Sequence, residues 1–128
     1  MKQLYQQEYV FNAGSKSFLW KCLSTESGLS HWFADHVEQT TAGSFIFTWK
    51  NGSDTAQLLT SRHNEYIRFQ WTKDQGSNVY FEFRIHKTEI TNLLTLTITD
   101  FAEQSEKEDA AILWDAQVEH LRRFMGAQ

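Results

Sequence analysis

The stretch Leu94-Thr95-Leu96-Thr97-Ile98-Thr99-Asp100-Phe101, with the segment that follows it, decides the fold of this chain. These eight residues alternate between apolar and polar, which predicts a strand with one buried face. An acidic segment comes next, and then an amphipathic helix whose apolar residues are Leu113, Trp114, Val118, Leu121 and Met125. A last strand that runs into a long helix predicts a curved sheet closed over that helix. Because such a shape can enclose a cavity, the sequence favours a binding function.

The composition indicates one globular domain over residues 1–128, long enough to bury a sizeable core. Ten Phe and five Trp are many for this length, and they can fill a core or line a pocket. The net charge of −4 arises from 12 basic and 16 acidic residues spread along the chain. No basic run or basic helical face occurs, which argues against nucleic acid as a partner and against a cationic membrane-binding helix.

The cysteine count and the N-terminus suggest the compartment. Cys22 is the single cysteine, so it cannot form an intramolecular disulfide, which suits a reducing compartment. Met1-Lys2-Gln3 opens directly into a strand-like segment with no apolar signal core, and no apolar run is long enough to span a bilayer. The predicted location is the cytoplasm.

Two short helices are predicted after a first strand at residues 4–11. The first helix runs to about Leu23 and has a buried stripe that includes Phe18, Leu19, Cys22 and Leu23. Thr25 can cap the second helix, whose apolar face consists of Leu29, Trp32 and Phe33.

From residue 35 the apolar period changes to two, which predicts an antiparallel meander. The strands are expected at residues 35–40, 44–50, 55–61, 67–72 and 79–86, with the last near 94–101. Asn51-Gly52 is the strongest hairpin signal. In the strand at 55–61, alternation places Ala56, Leu58 and Thr60 on one face.

The final helix is expected to begin near Ser105, where Ser105 and Glu108 match a capping box. Its length of roughly 18 residues corresponds to about 27 Å, enough to cross a sheet. The predicted fold class is therefore α+β, with an antiparallel sheet of six to seven strands wrapped around a long C-terminal helix.

Several segments carry a family resemblance. Residues 18–25, FLWKCLST, followed by Gly28-Leu29-Ser30-His31-Trp32-Phe33-Ala34, resemble the opening of one branch of the START-like (SRPBCC, Bet v allergen-type) helix-grip superfamily. That branch is related to the activator of the heat-shock chaperone ATPase. The later segments that match it are residues 43–49, residues 67–71 and Leu113-Trp114 with Leu121. Residues 98–103 resemble those of small members from the Bacteroidetes.

The resemblance implies a helix-grip fold but does not select a function. The superfamily includes lipid carriers, hormone receptors, polyketide cyclases and co-chaperone domains, so the site has to decide among them.

The candidate binding residues are mainly aromatic. Either they line an apolar cavity between the sheet and the last helix, or they simply pack as core. The predicted lining, which includes one aliphatic residue of the last helix, is Trp32, Phe45, Phe47, Trp49, Phe69, Trp71, Phe81, Phe83, Trp114 and Val118.

Asp100 is the one acidic candidate, because its parity places it on the inward face with Leu96 and Ile98. It could anchor a ligand or act as a general base with a raised pKa. An Asp at a strand end more often binds turn amides, and the sequence leaves these alternatives open.

The sequence contains no catalytic or metal-binding constellation. His31 and His36 are five residues apart and the other three histidines stand alone, whereas helical metal pairs need spacings of three or four. Cys22 lies on an apolar stripe, where a thiol is usually inert packing. We therefore expect no catalytic residues, no metal and no cofactor.

Three functions remain, in decreasing order of support. The first is a domain that binds a small apolar ligand in its cavity. The second is a protein-interaction domain of the co-chaperone kind, with a protein partner or a homodimer contact on its outer surface. The third is a cyclase- or hydrolase-type enzyme that would depend on Asp100.

Overall fold

The computed structural model describes residues 1–12 and 14–126. Within them the chain forms seven strands and three α-helices in an α+β arrangement, as the sequence predicts. In chain order these are β1 (Lys2–Phe11), α1 (Lys16–Ser24), α2 (Glu26–Leu29), β2 (His36–Gln39), β3 (Ser44–Trp49), β4 (Gly52–Arg62), β5 (Tyr66–Trp71), β6 (Phe81–Lys87), β7 (Leu94–Glu103) and α3 (Lys107–Met125).

The seven strands of the described residues form one curved antiparallel sheet in the order β1-β7-β6-β5-β4-β3-β2. Strands β2 to β7 are a meander in which each strand pairs with the next. The first strand closes the sheet by pairing with β7 along its whole length, from Lys2 opposite Glu103 to Phe11 opposite Leu94. The Asn51-Gly52 hairpin signal is confirmed, since Trp49 pairs with Gly52 across that turn.

A bulge in β4 corrects one prediction from the alternation pattern. Leu58 pairs with Phe69, but Thr60 pairs with Arg68, so Leu59 is the extra residue and is 46% exposed. The bulge reverses the parity of the strand, and Ser61 rather than Thr60 lies opposite the buried Ile67. The expectation that Ala56, Leu58 and Thr60 share a face was therefore wrong for Thr60.

The α1–α2 corner is held by the side chain of Thr25, as predicted. Its Oγ1 accepts a hydrogen bond from the amide of Gly28 at 2.9 Å and donates to the carbonyl of Lys21 at 2.7 Å. Gly28 is buried against α1, so the two helices approach closely at this point. This corner sets the direction of the segment at residues 30–35 that follows.

Helix α3 differs from its prediction in two details. It begins at Lys107 after a 3-10 turn at Gln104–Glu106, and its N-cap residue Glu106 has helical backbone angles and no side-chain cap. The Ser105–Glu108 capping box does not form, because the turn already continues into the helix. Leu113 is 62% exposed, because the buried stripe runs through Trp114, Val118 and Leu121.

The core lies between the concave face of the sheet, the two short helices and α3. Its largest fully buried side chains are Phe11, Phe45, Phe47, Phe69, Phe81, Phe83, Leu19, Leu23, Leu29, Leu94, Leu96 and Ile98. Because these side chains fill the middle of the sheet, the space for a ligand is found at one end of the sheet.

Candidate functional site

A solvent-open groove of about 710 Å³ lies at one end of the sheet. Its walls are the segment 30–35 after α2, the turn between β3 and β4 and one face of α3, and Trp71 of β5 and Asp100 of β7 also line it. The volume falls within the range of small-molecule sites in proteins. The antiparallel register brings these segments together, because Trp49, Trp71 and Asp100 all lie toward the same end of their strands.

Four of the five tryptophans of the chain line this groove: Trp32, Trp49, Trp71 and Trp114. Three of their indole N–H groups are held by hydrogen bonds. Trp32 donates to the carbonyl of Cys22 at 2.8 Å, Trp49 donates to that of Phe33 at 2.8 Å, and Trp114 donates to Asp100 Oδ2 at 3.0 Å. Their rings are therefore oriented before any ligand arrives.

Phe33 organises the aromatic wall, although the sequence assigned it only to the buried face of a helix. Its ring stacks on Trp114 at 5.8 Å and on Trp71 at 6.4 Å, and it meets Trp49 edge-on at 5.6 Å. Its carbonyl also accepts a hydrogen bond from Gln117 Nε2 at 3.0 Å, which ties α3 to this segment. No strand pattern could have identified Phe33 as a lining residue, because it lies in an irregular segment.

Asp100 lies beside the tryptophans and has three donors. Its Oδ1 accepts from the amide of Phe101 at 2.8 Å, and its Oδ2 accepts from Trp114 Nε1 at 3.0 Å and Tyr5 Oη at 3.3 Å. Desolvation by burial raises the pKa of this carboxyl above its usual range, against the lowering effect of these donors. Asp100 and Phe101 both lie inside β7, so the bond from the Phe101 amide is not the turn contact expected of an Asp at a strand end. The contact with Trp114 connects Asp100 to the groove.

The predicted lining residues divide into two groups. Trp32, Trp49, Trp71, Asp100 and Trp114 are brought together around the groove. The other six are at most 1% exposed and are packed in the core rather than along the groove; they are Phe45, Phe47, Phe69, Phe81, Phe83 and Val118. The difference follows from depth, because the first group lies at the end of the sheet and the second in its middle.

Polar residues that the sequence did not single out complete the rim. Asp35 and Asp54 contribute carboxylates, and His31 and His120 contribute imidazoles. All four are exposed. They come from a loop, a strand end and a helix, so nothing in the local sequence relates them to each other.

The described residues offer little for metal or nucleophilic chemistry. No group of three or more His, Cys, Asp or Glu residues in ranges 1–12 and 14–126 could hold a metal ion. Cys22 is 1% exposed, and burial raises the pKa of its thiol to about 11. A thiol of that pKa is protonated at neutral pH and is a poor nucleophile.

The fold and the groove together define a helix-grip domain: a curved antiparallel sheet, two short helices and a long C-terminal helix that covers its concave face. The family model for the START-like superfamily domain matches residues 1–127. The chain belongs to the START-like superfamily, as the sequence resemblance predicted.

Solved structures share this fold. A protein from Bacteroides fragilis, BfR322, is 39% identical, with 96% of this chain and 90% of that chain covered and a TM-score of 0.69. An Aha1 dimer from Colwellia psychrerythraea has a TM-score of 0.78 at 14% identity, covering 96% of each chain. The protein BH1534 from Bacillus halodurans has a TM-score of 0.76 at 20% identity, again covering 96% of each chain.

The last two similarities, both under 25% identity, concern the fold alone. Among proteins with curated annotation, none matches the sequence significantly. Within the described ranges, no helix has the length and apolar character needed to cross a membrane.

Proposed function

We propose that this domain binds a small, largely apolar molecule in the groove. The observation that carries the proposal is the gathering of Trp32, Trp49, Trp71 and Trp114, four of the chain's five tryptophans, around one open space of about 710 Å³. Only Trp32 and Trp114 are buried, so Trp49 and Trp71 keep part of their ring surface open to solvent. Exposed aromatic surface in a concave site is typical of a binding site.

Burial of apolar area would supply most of the binding free energy, at roughly 25 cal/mol per Å² removed from water. The three tryptophans with bonded N–H groups are already oriented, so little side-chain entropy is lost when a ligand stacks on them. Asp100 supports orientation of the ligand. An ionised carboxylate has about four acceptor positions, and three are in use, which leaves one on Oδ1 for a ligand donor.

The core residues Phe45, Phe47, Phe69, Phe81, Phe83 and Val118 would act indirectly in this proposal. They support the floor on which the exposed rings rest. Trp71, for example, stacks on Phe81 at 4.8 Å. Their replacement should lower stability first and affinity second.

The test is binding of a neutral apolar fluorophore, N-phenyl-1-naphthylamine, to the intact chain. We expect Trp71→Ala to weaken binding by at least about tenfold. Trp20→Phe, a conservative change at a buried tryptophan outside the groove, should leave binding unchanged. Circular dichroism confirms folding of both variants, and Trp49→Ala serves as a second groove variant. Equal binding by the folded groove variants and the wild type would overturn the proposal.

A second function, protein interaction, is favoured by exposed apolar side chains on α3. Ile112 and Leu113 are adjacent and are 60% and 62% exposed, and Leu113 also lines the groove. One similar structure is the Aha1 dimer from Colwellia psychrerythraea. We propose self-association of this chain, with light scattering coupled to gel filtration as the test: a dimer that Leu113→Glu dissociates would support it, and a monomer at all concentrations would refute it.

We also propose a cytoplasmic location and action as a single domain. The free, buried thiol of Cys22 fits a reducing compartment. Fractionation of the source cells would test this location directly.

A further inference from the structure

We infer that the ligand of the groove is an organic cation: a positively charged head, such as a quaternary or protonated amine, on a flat apolar body. This inference rests on the proposed binding function and adds the charge of the ligand. The tryptophan wall and the carboxylates that share the groove with it carry the argument.

The first step is the charge of the lining. Asp35, Asp54 and Asp100 all contribute to it. Among the lining residues that the structure describes there is no Lys or Arg, although the chain contains 12 of them. The only Asp, Glu, Lys or Arg residues in this lining are therefore acidic, whereas the chain as a whole mixes 16 acidic with 12 basic residues.

The second step is that the two rim carboxylates have no cationic partner. In the described ranges, Asp35 and Asp54 take part in no side-chain ion pair or hydrogen bond. The Lys2 ammonium, whose charge lowers the pKa of Asp100, lies outside the groove and pairs with Asp74 at 3.8 Å. Lys50 and Lys73, which lie close in sequence to Trp49 and Trp71, are exposed and do not line the groove.

The third step is the identity of the aromatic rings. A tryptophan face is the best of the aromatic side chains at attracting a cation, through the negative face of its ring. Trp49 and Trp71 are both partly exposed, their ring centroids are 6.3 Å apart, and their planes are inclined at 59°. Two inclined tryptophan rings that share a groove with unpaired carboxylates form a site that suits a cation and repels an anion.

Two imidazoles also lie on the rim: His120 is on α3, and His31 stacks on Phe124 with ring centroids 3.8 Å apart. An imidazolium charge on the rim would oppose a cation. The test is made at pH 8, above the ordinary pKa of histidine.

The experiment compares three probes that share one ring system: 1-naphthylmethyl-trimethylammonium, its neutral carbon analogue 1-neopentylnaphthalene, and 1-naphthylacetate. Quenching of tryptophan fluorescence reports binding to the full chain. We expect the cation to bind at least about fivefold more tightly than the neutral analogue, the size of a cation–π contact, with the anion weakest. Raising the salt from low concentration to 0.5 M should weaken binding of the cation and leave binding of the neutral probe unchanged.

The variant Asp35→Asn/Asp54→Asn should reduce the preference for the cation, although the tryptophan faces remain, and should leave the affinity for the neutral analogue unchanged. Glu38→Gln, an exposed acid on β2 outside the groove, is the matched control and should retain the preference. If the neutral analogue binds as tightly as the cation, or if the anion binds best, the charge assignment is wrong and the binding function stands. If no probe binds, both proposals fail.

Discussion

At the scale of single residues, Asp100 links the fold to the groove. Its backbone continues β7, where it pairs with Tyr5, and its carboxylate receives the indole N–H of Trp114 from α3. The alternation of β7 predicted its inward direction. It could not predict its partners, because Tyr5 and Trp114 approach it only when β1 and α3 are in place.

The raised pKa of Asp100 predicts a pH-dependent stability. The folded protein holds this proton at pH values where the unfolded chain has lost it, so the contribution is fully present below the unfolded pKa near 4. It is lost as the pH rises through the higher folded pKa. We expect the free energy of unfolding of wild type, relative to Asp100→Asn, to fall as the pH rises over this range.

Urea unfolding of both proteins from pH 4 to pH 8 measures this difference. Glu38→Gln, at an exposed acid on β2, is a control for the general loss of a negative charge. A difference between wild type and Asp100→Asn that stays constant with pH would contradict the assignment of a raised pKa.

At the scale of elements, the two short helices act as one unit that positions the segment 30–35. Neither helix is long enough to be stable alone. The pair is stabilised by the Thr25 hydrogen bonds and by the close approach of Gly28 to α1. The sequence predicted the cap of α2, but the closeness of the helices is a property of the packed corner.

Replacement of Gly28 tests that corner. A Cβ at this position would overlap the carbonyl oxygen of Lys21 and lie 2.6 Å from the Cα of Cys22. Backbone atoms cannot move aside cheaply, so we expect Gly28→Ala to destabilise the fold by about 2–3 kcal/mol. Ser27→Ala, on the exposed side of the same helix, should cost under about 1 kcal/mol in the same thermal unfolding experiment. Equal stability of the two variants would show that the helices separate easily.

Helix α3 is fastened to β1 by polar contacts as well as by its apolar stripe. Tyr9 Oη donates to Asp115 Oδ1 at 2.7 Å, and Arg122 Nη1 donates to the carbonyl of Val10 at 2.6 Å. Burial, followed by the hydrogen bond to Asp115, raises the pKa of Tyr9 to about 12.

Removal of the Tyr9 hydroxyl measures the hydrogen bond in this fastening. We expect Tyr9→Phe to lower the free energy of unfolding by about 1 kcal/mol, the usual value of one such bond. Tyr66→Phe keeps the ring that lies under the guanidinium of Arg84 and should be nearly neutral. The free energies of unfolding of the two variants, measured in urea at pH 7, should differ by that amount. Identical values would show that the Tyr9–Asp115 bond does not stabilise the fold.

At the scale of the whole molecule, the groove is assembled from segments that are distant in sequence. Residues 30–35, the turn near Asn51, Trp71, Asp100 and residues 110–120 of α3 all meet at one end of the sheet. The turns at the other end, at residues 62–65 and 88–93, lie far from it along the strands. Binding in the groove should therefore affect one end of the molecule.

Amide hydrogen exchange can detect this pattern. We expect saturating N-phenyl-1-naphthylamine to slow exchange in residues 30–35, 49–54 and 110–120 together, because one ligand touches all three walls. The turns at 62–65 and 88–93 serve as the internal reference and should be unchanged. Protection spread evenly over both ends would indicate general stabilisation or binding elsewhere.

The sequence by itself determined the element order, the antiparallel meander, the long closing helix and the START-like family, because period, turn residues and caps are local signals. It also predicted the inward direction of Trp49, Trp71 and Asp100 on their strands and the apolar helix faces that carry Trp32 and Trp114. The tertiary structure alone decided which inward residues reach the groove and which fill the core, since that depends on depth along the sheet. The same reason explains why three features required the folded chain: the bulge at Leu59, the central position of Phe33, and the presence of Asp35 and Asp54 in one groove. Each is a relation between segments that only packing brings together.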